Sequence, residues 1–193
     1  MMLALEIIGS LLGVVYVYLE WHERQAMWLF GLLMPIAYLI VFFKGGLYAN
    51  ASIQLYYIIA SFYGILVWRG VIKDRHNPEA TTSIKSLTPV QWLWLVIVIV
   101  ALAGVMTLLL SHIPGESNHP FLDGFTSSLN MVGMWMLAKK YYQQWYIWLI
   151  VNPVTVVMCI LSQMYVVAAF YAVSFVMSIM GYRAWLKKYR SNV

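Results

Sequence analysis

The chain has 193 residues, of which 63% are hydrophobic, 16% aromatic and only 10% charged. A soluble domain carries roughly 25% charged residues, and a single core of this size could not hide so much apolar surface. Soluble enzymes, nucleic-acid binders and secreted disulfide scaffolds are excluded. With a mean hydropathy of +0.77, the composition is that of an integral membrane protein. The formal charge of +5 fits loops rich in Lys and Arg on the cytoplasmic side better than an anionic partner. The one cysteine, Cys159, lies in an apolar run and rules out an internal disulfide. The first apolar run carries Glu6 where a signal peptide would be basic, so it is expected to remain as a span.

Seven stretches reach the roughly 20 apolar residues needed to cross the hydrocarbon. They lie at about 2–19, 26–43, 47–68, 89–111, 121–138, 144–163 and 164–182. Helices are expected throughout, because backbone in lipid must satisfy its own hydrogen bonds. Glu6 in span 1 and Asp123 in span 5 are the charges expected within spans; a solvated or structural role is the simpler reading of both. The polar stretch Arg69 to Thr88, with its Asn77-Pro78, reads as a surface loop. Spans 6 and 7 meet at a turn near Ser162-Gln163. The whole of 1–193 reads as one transmembrane domain.

The loops divide the basic residues sharply. One side collects Arg24, Arg69, Lys73, Arg75, Lys85, Lys139, Lys140, Arg183, Lys187, Lys188 and Arg190, and the other has only Lys44. The positive-inside rule then puts the C-terminus in the cytoplasm and the N-terminus outside.

Sliding the chain by 117 positions sets spans 1–3 on spans 5–7. Glu6 falls on Asp123, Ser10 on Ser127, Trp28 on Trp145, Tyr48 on Tyr165 and Ala51 on Ala168. Ser61, Gly64 and Trp68 fall on Ser178, Gly181 and Trp185. Repeat 1 therefore covers about 2–68, a linker helix about 89–111, and repeat 2 about 121–185. A three-plus-one-plus-three order leaves both halves in the same orientation, a parallel repeat about an axis along the membrane normal. Such a repeat places a binding site between the halves.

Polar side chains in lipid usually face a bundle interior or cavity, and here they fall in helical series. Asn50, Gln54 and Tyr57 share one face of span 3, and Asp123, Ser127 and Asn130 one face of span 5. Trp145, Trp148 and Asn152 share one face of span 6. Pro153 and, one place off in the repeat, Pro35 are expected to interrupt their helices. Simpler readings stand beside these: Trp145 and Trp148 as interfacial belt aromatics, Gln54 and Asn152 as glue between helices. His22, His76, His112 and His119 lie in loops without ligand spacing, so no metal site is expected. No cofactor is implied. There is no phosphate-binding Gly-rich loop, no nucleophile with a base and no carboxylate relay. The chain is not expected to be an enzyme, and facilitated diffusion of a small solute is the simplest mechanism.

The segment Lys44-Gly-Gly-Leu-Tyr-Ala-Asn-Ala-Ser-Ile-Gln54, running on to Tyr57, Gly64 and Trp68, resembles the third core helix of the PnuC vitamin transporters. Trp145-Tyr-Ile-Trp148-Leu-Ile-Val-Asn152 looks like that family's Trp-x-x-Trp-x-x-x-Asn motif. Leu5-Glu6-Ile7 and Gly181-Tyr-Arg-Ala-Trp185 also look like family positions.

The resemblance implies a core related to the SWEET sugar transporters, often a homotrimer, in the bacterial inner membrane. It implies uniport of an unphosphorylated vitamin that a cytoplasmic vitamin kinase then traps. Trp145 and Trp148 would stack the vitamin's rings, and Gln54 and Asn152 would hydrogen-bond its polar groups. Helix-face geometry adds Asn50, Tyr57 and Asn130. Thiamine and nicotinamide riboside, the substrates of two branches, both carry a cationic aromatic ring that suits tryptophan faces. The compact chain favours thiamine, with nicotinamide riboside as the alternative. A SWEET-type sugar carrier and a non-transporting scaffold subunit are the more distant readings.

Overall fold

The computed structural model describes residues 2–44, 48–73, 83–113, 115, 117 and 119–191. Seven helices follow one another: α1 (Met2–Trp21), α2 (Met27–Lys44), α3 (Tyr48–Trp68), α4 (Pro89–His112), α5 (Pro120–Ala138), α6 (Gln144–Leu161) and α7 (Tyr165–Ser191). Each corresponds to one expected span. Four of them, α3, α4, α6 and α7, contain stretches long and apolar enough to cross a membrane on composition alone. The expected start of span 3 at residue 47, Asn77-Pro78 and His76 lie outside the described residues, as does the side chain of Tyr48.

Two boundaries differ usefully from expectation. Helix α1 runs on to Trp21 and so takes in Glu20, a third acidic residue within a span. Helix α7 continues past its apolar run to Ser191, because its basic end has partners. There Lys188 Nζ lies 2.6 Å from Glu23 Oε1, and the Tyr189 ring is 5.2 Å from that of Tyr142.

Equivalent backbone bonds end the first helix of each repeat. Glu23 N–H donates to Glu20 O and Arg24 N–H to Leu19 O; at the related positions Lys140 N–H donates to Leu137 O and Tyr141 N–H to Met136 O. Glu23 and Lys140, at φ 51° and 59°, are the left-handed residues of these paired Schellman ends. The two residues face each other, with Lys140 Nζ 3.4 Å from Glu23 Oε2. Burial lowers the pKa of the Lys140 ammonium, while the Glu23 carboxylate acts in the opposite sense.

The packing obeys the same symmetry. Helix α2 lies on α3 and α6 on α7; α1 touches α2 as α5 touches α6; α1 meets α7 as α5 meets α3. In each half a fully buried tryptophan lies where a glycine leaves room, since a Cβ at Gly64 would overlap the Trp28 ring and one at Gly181 the Trp145 ring. Each ring also meets a second tryptophan edge-on, Trp28 with Trp68 at 5.7 Å and Trp145 with Trp185 at 5.8 Å. Those second tryptophans reach across the halves: Trp68 Nε1 donates to Leu137 O at 3.2 Å and Trp185 Nε1 to Trp21 O at 3.1 Å.

The linker helix stands outside this pair. Thr88 and Gln91 form a capping box at its start, with Pro89 in the first turn. Helix α4 packs on α5, where Gly124 admits Thr107 at close range. Just before α4, Lys85 exchanges backbone bonds with Lys140 and Tyr142, which ties the linker to repeat 2.

The tryptophan clamps carry a prediction. In Gly181→Ala the added methyl meets a rigid ring rather than a flexible chain, so about 1–3 kcal/mol of overpacking is expected. A lower Tm of the detergent-solubilised protein should result. An unchanged Tm would show that the ring is not clamped.

Candidate functional site

A chamber of about 320 Å³ lies between the halves, walled by every helix except α4. Helix α1 contributes Gly13, Tyr16, Val17 and Glu20, at the i, i+3, i+4, i+7 spacing of one helix face. Phe30, Gly31, Met34 and Pro35 come from α2, Tyr57 from α3, and Asn130 and Met134 from α5. Helix α6 supplies Trp148, Val151 and Asn152, and α7 supplies Phe170, Tyr171, Ser174 and Ser178.

The expected site residues divide. Trp148, Asn152, Tyr57 and Asn130 meet in the chamber wall. Gln54 lines a second cavity of about 300 Å³, with Glu6, Ser10 and Tyr38. Asn50, one turn before Gln54, is half-buried and lines neither cavity. Trp145 is fully buried and also lines neither; its ring is taken up by Gly181 and Trp185. It is the repeat counterpart of Trp28, which plays the same packing part in the first half.

Trp148 is held in place from two directions. Its ring edge lies against Gly133, where a Cβ would come within 3.0 Å. Its Nε1 donates to Glu20 Oε1 at 2.8 Å and to Gln144 Oε1 at 3.0 Å. Asn152 Nδ2 donates to Ser178 Oγ at 3.2 Å, and Ser178 Oγ donates onward to Ser174 O at 2.7 Å. The Ser174 hydroxyl is buried in the chamber wall without a hydrogen-bond partner.

The prolines do not break their helices, contrary to expectation; α2 runs through Pro35 and α6 through Pro153. A proline leaves the carbonyl four residues back without its donor, and for Pro35 that carbonyl is Gly31 O. Ser61 Oγ supplies the missing bond at 2.7 Å. Pro153 itself faces outward.

Glu20, Gly13, Tyr16, Phe170, Tyr171 and Ser174 are chamber residues that the sequence reading missed. Ending span 1 at 19 hid Glu20, although the series 13, 16, 17, 20 was present as a signal. The expected structural reading of Asp123 agrees with its place in the first turn of α5, where Ser117 Oγ donates to it. Among the described residues no cluster of His, Cys, Asp and Glu could hold a metal ion.

The two cavities share Gly13, Met34, Phe170 and Tyr171. A Cβ on Gly13 would lie 3.3 Å or less from ring atoms of Phe170, so that ring sits at the junction. In a Cys159→Ser background, Asn130→Cys should react slowly with a small thiol reagent, and adding Phe170→Ala should speed the reaction several-fold. Equal rates would show that Phe170 does not separate the cavities.

Seven apolar helices in two parallel triplets with a chamber between them have the architecture of a membrane transporter. A model of the nicotinamide mononucleotide transporter family matches residues 3–187. The nicotinamide riboside transporter PnuC of Escherichia coli K12 is 24% identical, over 97% of this chain and 87% of its own length. The PnuC of Neisseria mucosa is 28% identical over 77% of this chain and 57% of its own length. The crystal structure of the vitamin B3 transporter PnuC superposes with a TM-score of 0.74 at 25% identity, covering 96% of this chain and 82% of that one. The chain belongs to the PnuC-type family of membrane transporters. These relatives are named for nicotinamide riboside and vitamin B3, not for the thiamine expected from compactness.

Proposed function

We propose that the protein carries nicotinamide riboside across the bacterial inner membrane by facilitated diffusion. The observation that carries this reading is the chamber itself. Its volume of about 320 Å³ falls in the ~300–1,000 Å³ range of small-molecule sites. Its wall combines the Trp148 indole with the Asn152 amide and the free Ser174 hydroxyl. The pyridinium ring would stack on Trp148, and the ribose hydroxyls or carboxamide would bond to Asn152 and Ser174. Tyr57 and Asn130 would complete the lining around it. Gln54 would act earlier, in the second cavity, and Trp145 would support Trp148 through the helix they share. The relatives' names support the choice of vitamin.

The same proposal includes an N-terminus outside and a C-terminus in the cytoplasm, a homotrimer, and trapping by a cytoplasmic vitamin kinase. Cysteines at Ser117 and Ser191, in a Cys159→Ser background, should then label from opposite sides of intact cells. Labelling of Ser191→Cys by an impermeant reagent applied outside would reverse the orientation.

Uptake into liposomes tests the function. Vesicles preloaded with unlabelled nicotinamide riboside should exchange labelled vitamin without any ion gradient, whereas thiamine in the same assay distinguishes the other vitamin of the family. Trp148→Ala should weaken binding by about 1–3 kcal/mol through lost burial and cation–π attraction. Trp145→Phe should act on stability more than on affinity. Strict dependence on a proton or sodium gradient would rule out uniport.

A further inference from the structure

Glu20 is 2% exposed, yet it lines the chamber. Its carboxylate accepts the Trp148 indole N–H at 2.8 Å. A buried charge is costly unless paired, and one turn further on Glu23 shows what pairing looks like, with Lys140 and Lys188 both on its carboxylate. Among the described residues no Lys, Arg or His forms an ion pair with Glu20. The repeat adds an independent observation: the position equivalent to Glu20 is Leu137, fully buried in the core. An acidic side chain is therefore no requirement of this helix end. The asymmetry lies on the one side where the chamber's tryptophan also lies.

We propose that Glu20 is the specificity-determining counter-anion of the chamber, selecting a substrate whose aromatic ring bears a positive charge over a neutral ring of the same shape. This rests on the transport function proposed above. A ring stacked on Trp148 meets the indole face and lies within a few ångströms of the carboxylate to which the indole is bonded. Coulomb attraction and cation–π attraction then act on the same charge. Once a bound cation offsets the cost of its burial, the Glu20 carboxylate also pushes electron density into the indole through the Nε1 hydrogen bond, which strengthens the hold on that cation. Pyridinium and thiazolium share this chemistry, so nicotinamide riboside and thiamine are both candidates.

Calorimetric titration of the purified full chain tests the assignment. The probes are nicotinamide riboside with its neutral 1,4-dihydro form, and thiamine with its neutral thiophene analogue. For whichever vitamin binds, the parent protein should prefer the cation by about tenfold or more. Glu20→Gln, which keeps an acceptor for Trp148 Nε1, should lose about that factor for the cation and leave the neutral relative unchanged. A parent that binds cation and neutral relative equally overturns the inference, even if the variant cannot be purified. So does a Glu20→Gln protein that loses both ligands alike, since that marks a merely structural carboxylate. A parent that binds neither vitamin overturns the proposed function and this inference with it.

Discussion

The fold depends on tryptophans placed against glycines. Hydrophobic force is weak between helices in lipid, so close packing and hydrogen bonds must hold a bundle together. Gly64 and Gly181 let whole indole rings sit where side chains would otherwise collide. The partner tryptophans, Trp68 and Trp185, then donate to carbonyls of the opposite half. Each triplet is closed by its own pair of rings and locked to the other triplet by the second ring of that pair. The chamber exists because these locks lie near one end of the bundle and leave the middle unfilled.

Symmetry builds the frame, and its violation makes the site. Gly31 and Trp148 are related by the repeat, as are Pro35 and Asn152, Tyr57 and Ser174, and Gly13 and Asn130. All eight line the chamber. On one side the indole of Trp148 lines the space; at the related position Gly31 has no side chain, and Ser61 packs against it. Ser61 and Ser178 occupy matching positions but serve different ends. The first repairs the backbone gap made by Pro35, and the second holds the Asn152 amide in place. A symmetric pair of half-sites has thus become one pocket with a distinct aromatic wall.

Most of the frame could be read in the sequence because it rests on periodicity and self-similarity. The matched Trp28/Trp145, Gly64/Gly181 and Trp68/Trp185 were visible as letters, and each proved to be part of one packing unit. The chamber was harder to read. Helix-face reasoning brought Tyr57, Asn130, Trp148 and Asn152 to one wall, but it could not tell that Trp145 is consumed by Gly181. That depends on which side of α6 faces α7, a tertiary fact. Glu20 is hard to read from the sequence because a charge at the edge of an apolar run ordinarily marks the end of a span. A carboxylate can lie inside the helix when an indole N–H and a cavity receive it.

The Glu23–Lys140 contact says something about how such a chain came to be one chain. The two residues are equivalent in the repeat, so they face each other across the pseudo-two-fold axis. In a dimer of two identical half-length chains, a residue on the axis meets its own copy. Glutamate would face glutamate, or lysine lysine, and the contact would repel. Opposite charges at this point are closed to identical halves and open to halves that are free to differ, as they are in this single chain. The same freedom lets Gly31 take the position related to Trp148, so electrostatic closure of the bundle and a one-sided pocket both require halves that differ in sequence.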